Sequence, residues 1–328
     1  MFHNKQQHST LELTSFDIMV PTRHMVFQIK QPIKASRSRL SASKKAKGTV
    51  RDVGPVKSLA VALQVISEFI DEGEDVSVSS ICTKLSLPKS QVSRILATFR
   101  ANGFLTQNVA TKKFRIGLKA YAIGCRYLHS DKIIRESLPV LRSAVDRSGF
   151  TATISILDGN RPFYLAGVEG SAFVDFGSRT GTYYPIHATA PGKIFLSFVD
   201  QTLRDNILST LRLNPFTTNT IQSLRELKRA IAETSVVGYA VSRGDRTPGI
   251  GSLAVPVFGR DGILLAAMSF VYPLGRVPDD QHSYFVSILH GVARILSLRL
   301  GAQSYPFGGN SSVKRTTNET RSATERRL

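Results

Sequence analysis

Cysteine, tryptophan and long apolar runs are scarce or missing in this 328-residue chain. Its two cysteines, Cys82 and Cys125, can build neither a disulfide framework nor a cysteine-based metal site, so we expect a reducing cytoplasm. No apolar stretch approaches the roughly 18 residues of a membrane span, and the longest candidate is residues 262–273. The N-terminal residues lack the basic-then-apolar order of a secretory signal. We therefore expect no membrane partner.

Acidic residues are also scarce: 24 Asp and Glu face 43 Lys and Arg, a formal net charge of +19. Residues 1–53 carry 10 basic and 3 acidic residues, and residues 302–328 carry 5 and 2, so more than half of the excess lies at the two ends. Both ends are polar and lack helical or strand periodicity, which predicts disordered basic tails. A basic excess indicates either a polyanionic partner or solubility alone.

Residues 54–117 have the pattern of a winged helix-turn-helix. The first helix should pack through an apolar face and end at the acidic loop of residues 71–75. A short second helix follows Ser77, a suitable N-cap, and Cys82 falls on its buried face. Pro88 suits the start of a third helix that stops at Asn102. The apolar face of the first helix comprises Leu59, Ala62, Leu63, Ile66 and Ile70.

The third helix has two distinct faces. Val92, Ile95, Leu96 and Phe99 share the core side, and the opposite side is small and polar. Small residues permit close approach to a DNA groove, and Arg94 and Gln91 have the donor geometry to read guanine and adenine edges. An ordinary solvated helix is the alternative. The predicted DNA-contacting residues of this helix are Lys89, Ser90, Gln91, Ser93 and Arg94.

A two-stranded wing is predicted after Gly103, where FLTQN and KFRIG flank a turn at residues 109–111. Lys112, Lys113 and Arg115 lie at its tip and on its return strand. These cations are placed for DNA phosphates, which would add affinity and salt dependence but no base specificity.

The rest of the chain alternates helices and β-prone runs. Residues 118–128 predict a helix that carries Cys125 and packs against its copy in a partner chain, and residues 133–148 predict another. The runs TATISIL, PFYLAGV, AFVDFGS, GYAVSRG and GSLAVPVFGRDGILLAAMSFVY predict strands, with helices near Ala190, at SLRELKRAIAETSVVG and from about residue 279 to 301. The apolar face of the last helix includes Phe285, Leu289 and Ile295. The expected fold is α+β, a sheet with helices on its faces.

Several phrases in one order resemble the IclR family of bacterial transcription regulators. They are VKSLAVALQVISEF, LSLPKSQVSRILATFRANGFL, KFRIGLKAYAIGCRYL, LDGNRPFYLAGVEG, RTGTYYPIHATAPGKIFLSF, GYAVSRGDRTPGIGSLAVPVFGRDG and LLAAMSF. The resemblance as a whole covers about residues 54–301. The resemblance implies a winged helix-turn-helix at residues 54–117, a linker helix at 118–130 and a GAF-like effector-binding domain at 131–301 with an antiparallel-rich sheet. It also implies double-stranded DNA, with a palindromic operator, as partner, a small carboxylate effector, and a homodimer or dimer of dimers.

An effector site is expected where small residues open the helix near Ala190. A helix N-terminus offers free N–H groups and partial positive charge to an anion, which small side chains let approach. A plain loop-to-helix turn is the alternative. The residues expected to hold the effector here are Thr189, Ala190, Gly192 and Lys193.

The opposite wall departs from the family pattern. Ser242 and Ser252 stand where members commonly carry an acidic residue and a cysteine, whereas Ser269 matches a frequent pocket serine. The two serines keep hydrogen-bonding capacity, but they argue against a short-chain oxoacid effector and against a metal site. Aromatic residues could line a pocket for an aromatic acid: Phe173, Phe176, Tyr183 and Tyr184.

Two other functions remain open. An enzyme could use His187 near Ser197 and Asp200, or near Asp245, but the sequence has no nucleophile elbow, Gly-rich phosphate loop or paired metal-ligand spacing. We therefore expect no catalysis, metal or cofactor. A basic architectural DNA-binding protein would need no ligand at all. We favour a ligand-responsive transcription regulator, repressor or activator, of a metabolic pathway that we expect to be catabolic.

Overall fold

The computed structural model describes residues 56–71, 75–171 and 180–308. Most of the two basic tails, part of the acidic loop, and the strand expected at AFVDFGS with Phe173 and Phe176 lie outside these residues.

A three-helix unit with a wing forms the first part. α1 (Lys57–Asp71), α2 (Val78–Leu85) and α3 (Lys89–Ala101) precede the antiparallel strands β1 (Leu105–Gln107) and β2 (Phe114–Ile116). The side chain of Ser77 caps α2 by accepting a 3.0 Å hydrogen bond from the Ser80 N–H, as its sequence position predicts. The helices and wing enclose one apolar core: Val65, Phe69, Val76, Ile81, Val92, Leu96, Leu105 and Phe114.

The predicted buried face of α1 is wrong in part. Leu59 and Leu63 are more than half exposed, and Val65 and Phe69 pack into the core in their place. α1 carries two apolar stripes at helical spacing, and periodicity alone does not decide which stripe faces α2 and α3. On α3 the expected core face is confirmed, because Val92 and Leu96 are fully buried.

A long helical segment follows the wing. α4 (Leu118–Ser130) buries none of its side chains, and Asp131 then caps α5 (Lys132–Ser148) by accepting from the Ile134 N–H at 3.0 Å. α5 ends at Gly149, whose φ of 72° is left-handed and therefore suits glycine. Tyr121 and Ile123 of α4 are more than half exposed.

Among the residues that the structure describes, five antiparallel strands form the second sheet, in the order β4-β3-β7-β6-β5. The strands are β3 (Thr151–Asp158), β4 (Arg161–Val168), β5 (Ala240–Arg243), β6 (Ile250–Phe258) and β7 (Leu264–Pro273). α6 (Ala190–Phe198), α7 (Gln201–Thr210), α8 (Leu224–Val237) and α9 (His282–Arg299) complete the domain.

Alternation along the strands gives the sheet two different faces. On one face, Ile154, Leu253 and Met268 belong to the apolar core shared with α5 and α9. On the other face, alanines such as Ala254 and Ala267 let α6 lie close, with α8 packed against α6. The domain is therefore an antiparallel sheet between two helical layers, which confirms the predicted α+β class.

Two predictions near the C-terminus need correction. Ile295, expected on the apolar face of α9, is 47% exposed because that face is narrower than its periodicity suggests. Residues 302–308, expected to be tail, pack back onto the domain. The Tyr305 and Phe307 rings contact His290 and Phe258, since burying them outweighs the polar character of the surrounding sequence.

Candidate functional site

The outward face of α3 is accessible. Lys89, Ser90, Gln91 and Arg94 are exposed, and Ser93 is half-buried. Ser90, Gln91 and Arg94 line a shallow groove between α3 and α1. The side chains of Gln91 and Arg94 make no hydrogen bond to another described residue, so their donors remain available to a ligand.

The wing presents two lysines at a tight turn. Asn108 closes the turn, since its side-chain oxygen accepts from the N–H groups of Ala110 and Thr111 at 2.9 and 3.0 Å. Lys112 adopts a left-handed φ of 59° there, and its carbonyl accepts from the Gln107 amide at 2.9 Å. Lys112 and Lys113 are both exposed.

Arg115 is less available than the sequence suggests. Its guanidinium forms a two-point ion pair with Asp75, in which Nη2 lies 3.1 Å from Oδ2. The hydrogen bond from Arg115 holds the pKa of the Asp75 carboxyl below its usual range. This cation therefore joins the wing to the segment before α2 in the free protein.

The first turn of α6 packs closely against the backbone of Ile186 on the side of Gly192. Thr189 caps the helix by accepting from the Gly192 N–H at 3.2 Å. A Cβ at Gly192 would lie 1.9 Å from the Ile186 carbonyl oxygen, so glycine is needed for this close approach. Ala190 is fully buried in the core under the sheet. Ala190 and Gly192 are not among the residues that line the cavity beside this helix.

Lys193 faces the protein interior. Its ammonium donates to Asp245 Oδ2 at 2.7 Å and to the Val241 carbonyl at 2.8 Å, and the residue is 7% exposed. A charge engaged in this way is not directed at an effector. Lys193 was expected beside the effector because it follows the small residues of the helix start, but a carboxylate 52 positions later holds it.

A cavity lies between the start of α6 and the adjacent sheet face. Its internal volume is about 70 Å³, and the space rises to about 550 Å³ when the mouth that opens to solvent is included. Four of the predicted effector residues line it together: Thr189, Ser242, Ser252 and Ser269. The other lining residues are Thr153, Ser155, Tyr164, Tyr184, Ala188, Pro191, Arg246, Thr247, Ile250, Gly251 and Val271.

Strand register brings the polar residues of the cavity floor together. Ser242 of β5 lies opposite Ser252 of β6, and Thr153 of β3 lies opposite Ser269 of β7. The Thr153 and Ser269 hydroxyls are 2.6 Å apart. Because residues two apart share a face, Ser155 joins this floor.

Arg246, which no motif in the sequence singles out, supplies positive charge to the cavity. It lies in the loop after β5 and is half-buried. Burial lowers the pKa of its guanidinium, and the nearby Tyr184 opposes that shift. Arg246 directly follows Asp245, but this position predicts a cavity residue only once the contact between Asp245 and Lys193 is known.

Two tyrosines form a further wall. Burial raises the pKa of Tyr164 to about 12, and burial likewise raises the pKa of Tyr184. The Tyr184 hydroxyl is fully buried and has no hydrogen-bond partner among the described residues. Phe173 and Phe176, predicted with Tyr184 as an aromatic lining, fall outside those residues, and Tyr183 does not line this cavity.

The side chains considered for catalysis have separate roles. The Asn214 carbonyl is 3.0 Å from His187 Nε2 and can only accept, so this nitrogen carries the proton. Ser197 Oγ lies 2.7 Å from the Lys193 carbonyl, and Asp200 caps α7 by accepting from the Leu203 N–H at 2.9 Å. These hydrogen bonds do not join a nucleophile to a base.

Within residues 56–71, 75–171 and 180–308, no three His, Cys, Asp or Glu side chains cluster in a way that could hold a metal ion. None of the helices in that part of the chain is long and apolar enough to cross a membrane.

Known proteins combine the same two parts. The IclR helix-turn-helix domain model matches residues 58–109, and the model for the bacterial transcriptional regulator IclR C-terminal region matches residues 125–298. The HTH-type transcriptional regulator XynR of Escherichia coli K12 is 29% identical over 246 residues, which cover 75% of this chain and 98% of XynR.

Solved structures share the fold. Thermotoga maritima IclR has a TM-score of 0.59 and 27% identity, covering 74% of this chain and 98% of that one. An IclR homologue of Microbacterium hydrocarbonoxydans, crystallised with 4-hydroxybenzoate, has a TM-score of 0.63 and 23% identity, covering 74% of this chain and 99% of that one.

A helix-turn-helix followed by an α+β domain with an internal cavity defines a DNA-binding transcription regulator with an effector domain. The chain belongs to the IclR family, whose C-terminal model alone matches more than half of it. The resemblance noted from the sequence is therefore confirmed.

Proposed function

We propose that this protein regulates genes of a metabolic pathway in the cytoplasm by changing its DNA affinity when a small carboxylate-bearing metabolite enters the cavity. The observation that carries the proposal is the charge of the cavity wall. Among the described residues that line it, Arg246 is the single basic side chain, and none is acidic. A half-buried cation in such a wall favours an anionic ligand.

Arg246 has the chemistry for a carboxylate. Its planar guanidinium can donate two parallel hydrogen bonds to both carboxylate oxygens. Burial lowers the pKa of the guanidinium, and a carboxylate beside it would stabilise the charged form. The Microbacterium relative was crystallised with 4-hydroxybenzoate, which is a monocarboxylate.

DNA recognition is assigned to α3 and the wing. Arg94 and Gln91 would read bases, Ser90 and Ser93 would support them, and Lys89 would contact phosphate. Lys112 and Lys113 would hold the DNA backbone, and Arg115 would join them only by leaving Asp75. Two copies of the chain, as a homodimer or a dimer of dimers, would bind a palindromic operator.

Coupling between ligand and DNA would run through α4. Its many exposed apolar side chains suit packing against a second copy of the helix, and the packing angle would set the spacing of two recognition helices. A ligand-independent architectural protein is the alternative, and it would show no change in DNA affinity with any carboxylate.

The effector half is tested with paired arginine variants. Arg246→Gln removes the cavity cation, and Arg243→Gln removes an exposed arginine from the adjacent strand end. Calorimetry against a panel of carboxylates should show that Arg246→Gln weakens binding about 10- to 100-fold, the value of a charge-assisted hydrogen bond, with little change for Arg243→Gln. Equal losses in both variants would refute the assignment.

The test of DNA recognition uses DNA sequences that the protein itself selects from a random pool. Arg94→Ala should weaken binding to selected DNA by roughly 1–3 kcal/mol and reduce discrimination against random DNA. Arg225→Ala, an exposed arginine on α8, is the control. An unchanged ratio of selected to random binding in Arg94→Ala would contradict base reading by this residue.

A further inference from the structure

Hydroxyl groups dominate the cavity wall. Nine of the fifteen lining residues carry one: Thr153, Ser155, Tyr164, Tyr184, Thr189, Ser242, Thr247, Ser252 and Ser269. A hydroxyl can donate one hydrogen bond and accept two, so the wall can pair with ligand groups of either polarity.

Some of these hydroxyls already have partners within the protein. Thr153 and Ser269 bond to each other, and Thr189 caps α6. The side chains of Ser242, Thr247 and Ser252 form no hydrogen bond to another described residue. These three come from β5, β6 and the loop between them, so unpaired hydroxyls concentrate around Arg246.

Tyr184 adds a buried polar atom to the same wall. The residue is 8% exposed, and its hydroxyl makes no hydrogen bond to another residue that the structure describes. The side chain of Ser155 lowers the Tyr184 pKa against the larger effect of burial, but the two hydroxyls do not meet the geometry of a hydrogen bond. A buried hydroxyl without a partner is unfavourable, and it is therefore a group that a bound ligand can satisfy.

We infer that the effector is a polyhydroxylated carboxylate, with its carboxylate on Arg246 and its hydroxyls on Ser242, Ser252, Thr247 and Tyr184. The carboxylate end rests on the function proposed above, whereas the hydroxyl end rests on the unpaired wall. Ala188, Pro191, Ile250 and Val271 provide apolar patches for the C–H faces of such a chain.

Acids without hydroxyls fit this wall less well. An aliphatic or plain aromatic acid would remove water from the serine and threonine hydroxyls and return no hydrogen bond. A site built to bond ligand hydroxyls discriminates strongly against analogues that lack them, because its own polar groups are then buried unpaired. The cavity should therefore prefer a hydroxylated chain to its deoxy counterpart.

Calorimetry on the full chain tests this with matched probes. D-Gluconate and hexanoate share a six-carbon chain and a carboxylate but differ in five hydroxyls, and D-sorbitol keeps hydroxyls without the carboxylate. D-Galactonate, D-ribonate and glycerate vary stereochemistry and length, and 4-hydroxybenzoate represents aromatic acids. We expect at least one of the four polyhydroxylated acids to bind at least tenfold more tightly than hexanoate, 4-hydroxybenzoate and sorbitol.

Variants connect the preference to the wall. Ser242→Ala, Ser252→Ala and Tyr184→Phe should each weaken binding of the preferred acid about fivefold, the value of one hydrogen bond, and leave hexanoate unchanged. Ser235→Ala and Tyr284→Phe are controls, since both residues are exposed, on α8 and α9, and neither lines the cavity. Far-ultraviolet circular dichroism and Tm of each variant confirm folding.

The outcomes separate this inference from the proposed function. Tightest binding by hexanoate or 4-hydroxybenzoate, weakened in Arg246→Gln, would keep the carboxylate site and overturn the polyhydroxylated class. Sorbitol binding as tightly as gluconate would instead overturn the proposal that the ligand carries a carboxylate. If the affinity for the preferred polyhydroxylated acid is the same in all three wall variants, the inference is overturned. If none of the probes binds, both the inference and the proposed carboxylate site are overturned.

Discussion

Lys193 Nζ lies 2.7 Å from Asp245 Oδ2, and both side chains are more than nine-tenths buried. The other carboxylate oxygen, Oδ1, accepts from the Arg243 N–H at 2.8 Å, and Lys193 also donates to the Val241 carbonyl. This ion pair thus fixes the loop after β5 to α6. Arg246 follows Asp245 directly, so the ion pair also determines where the cavity receives its positive charge.

Removing one partner of this ion pair should be costly. Lys193→Met leaves the Asp245 carboxylate buried without a counter-charge, and we expect the free energy of unfolding to fall by about 3–5 kcal/mol in urea titrations. The double variant Lys193→Met/Asp245→Leu removes both charges and should recover most of that loss. A double variant no more stable than Lys193→Met would show that the charge is not the cause.

Local periodicity predicts much of the fold and less of its packing. The strands at TATISIL and PFYLAGV, and the helices that became α5, α8 and α9, follow from short β-prone runs and single apolar stripes. α1 carries two stripes, and only contacts with α2 and α3 select the one that is buried. Tyr305 and Phe307 were assigned to a tail because their anchoring residue, His290, is distant in sequence.

The cavity depends on relations that a single sequence does not contain. Ser242, Ser252 and Ser269 were found from family positions, but their grouping depends on the register of three strands. Arg246 was missed because the path of its loop is set by a contact between residues 193 and 245. Lys193 was misplaced for the same reason.

Gly192 should tolerate no side chain. In Gly192→Ala the Cβ would lie 1.9 Å from the Ile186 carbonyl oxygen, so backbone must move and Tm should fall by several degrees. Gly124 is the matched control, since it is helical and a Cβ there meets nothing within 4 Å. Gly124→Ala should raise stability by about 0.5–1 kcal/mol. Equal Tm values for the two variants would contradict the close approach at α6.

His290 should make stability depend on pH. Burial lowers its pKa from 6.5 to about 4, so between these values the unfolded chain binds the proton and the folded protein does not. The free energy of unfolding should therefore fall as pH decreases from 7 to 4, by up to about 3 kcal/mol from this residue.

Urea titrations at several pH values measure that contribution. The Tyr305 hydroxyl donates to the Pro256 carbonyl and accepts from His290 Nδ1 at 2.9 Å. His290→Asn keeps an N–H donor for Tyr305 but has no side chain that titrates in this pH range. The variant should lose part of the pH dependence. His129→Asn, at an exposed histidine, is the control and should keep the full pH dependence of stability. Identical pH slopes in the parent protein and His290→Asn would exclude the buried histidine as the cause.

Breaking the exposed ion pair of the wing should strengthen DNA binding. Asp75→Asn removes the carboxylate that pairs with Arg115, which favours a contact of this guanidinium with a phosphate, and one additional phosphate contact steepens the dependence of log K on log salt by about 0.9. Glu68→Gln is the control: it makes the same charge change in the same helix-turn-helix unit, where Glu68 lies 3.5 Å from Lys84. Fluorescence anisotropy at several salt concentrations measures both slopes. If both variants steepen the slope equally, the change in net charge explains the stronger DNA binding, and the pairing of Arg115 with Asp75 plays no part in it. A steeper slope in Asp75→Asn alone shows that Asp75 withholds Arg115 from the phosphate backbone.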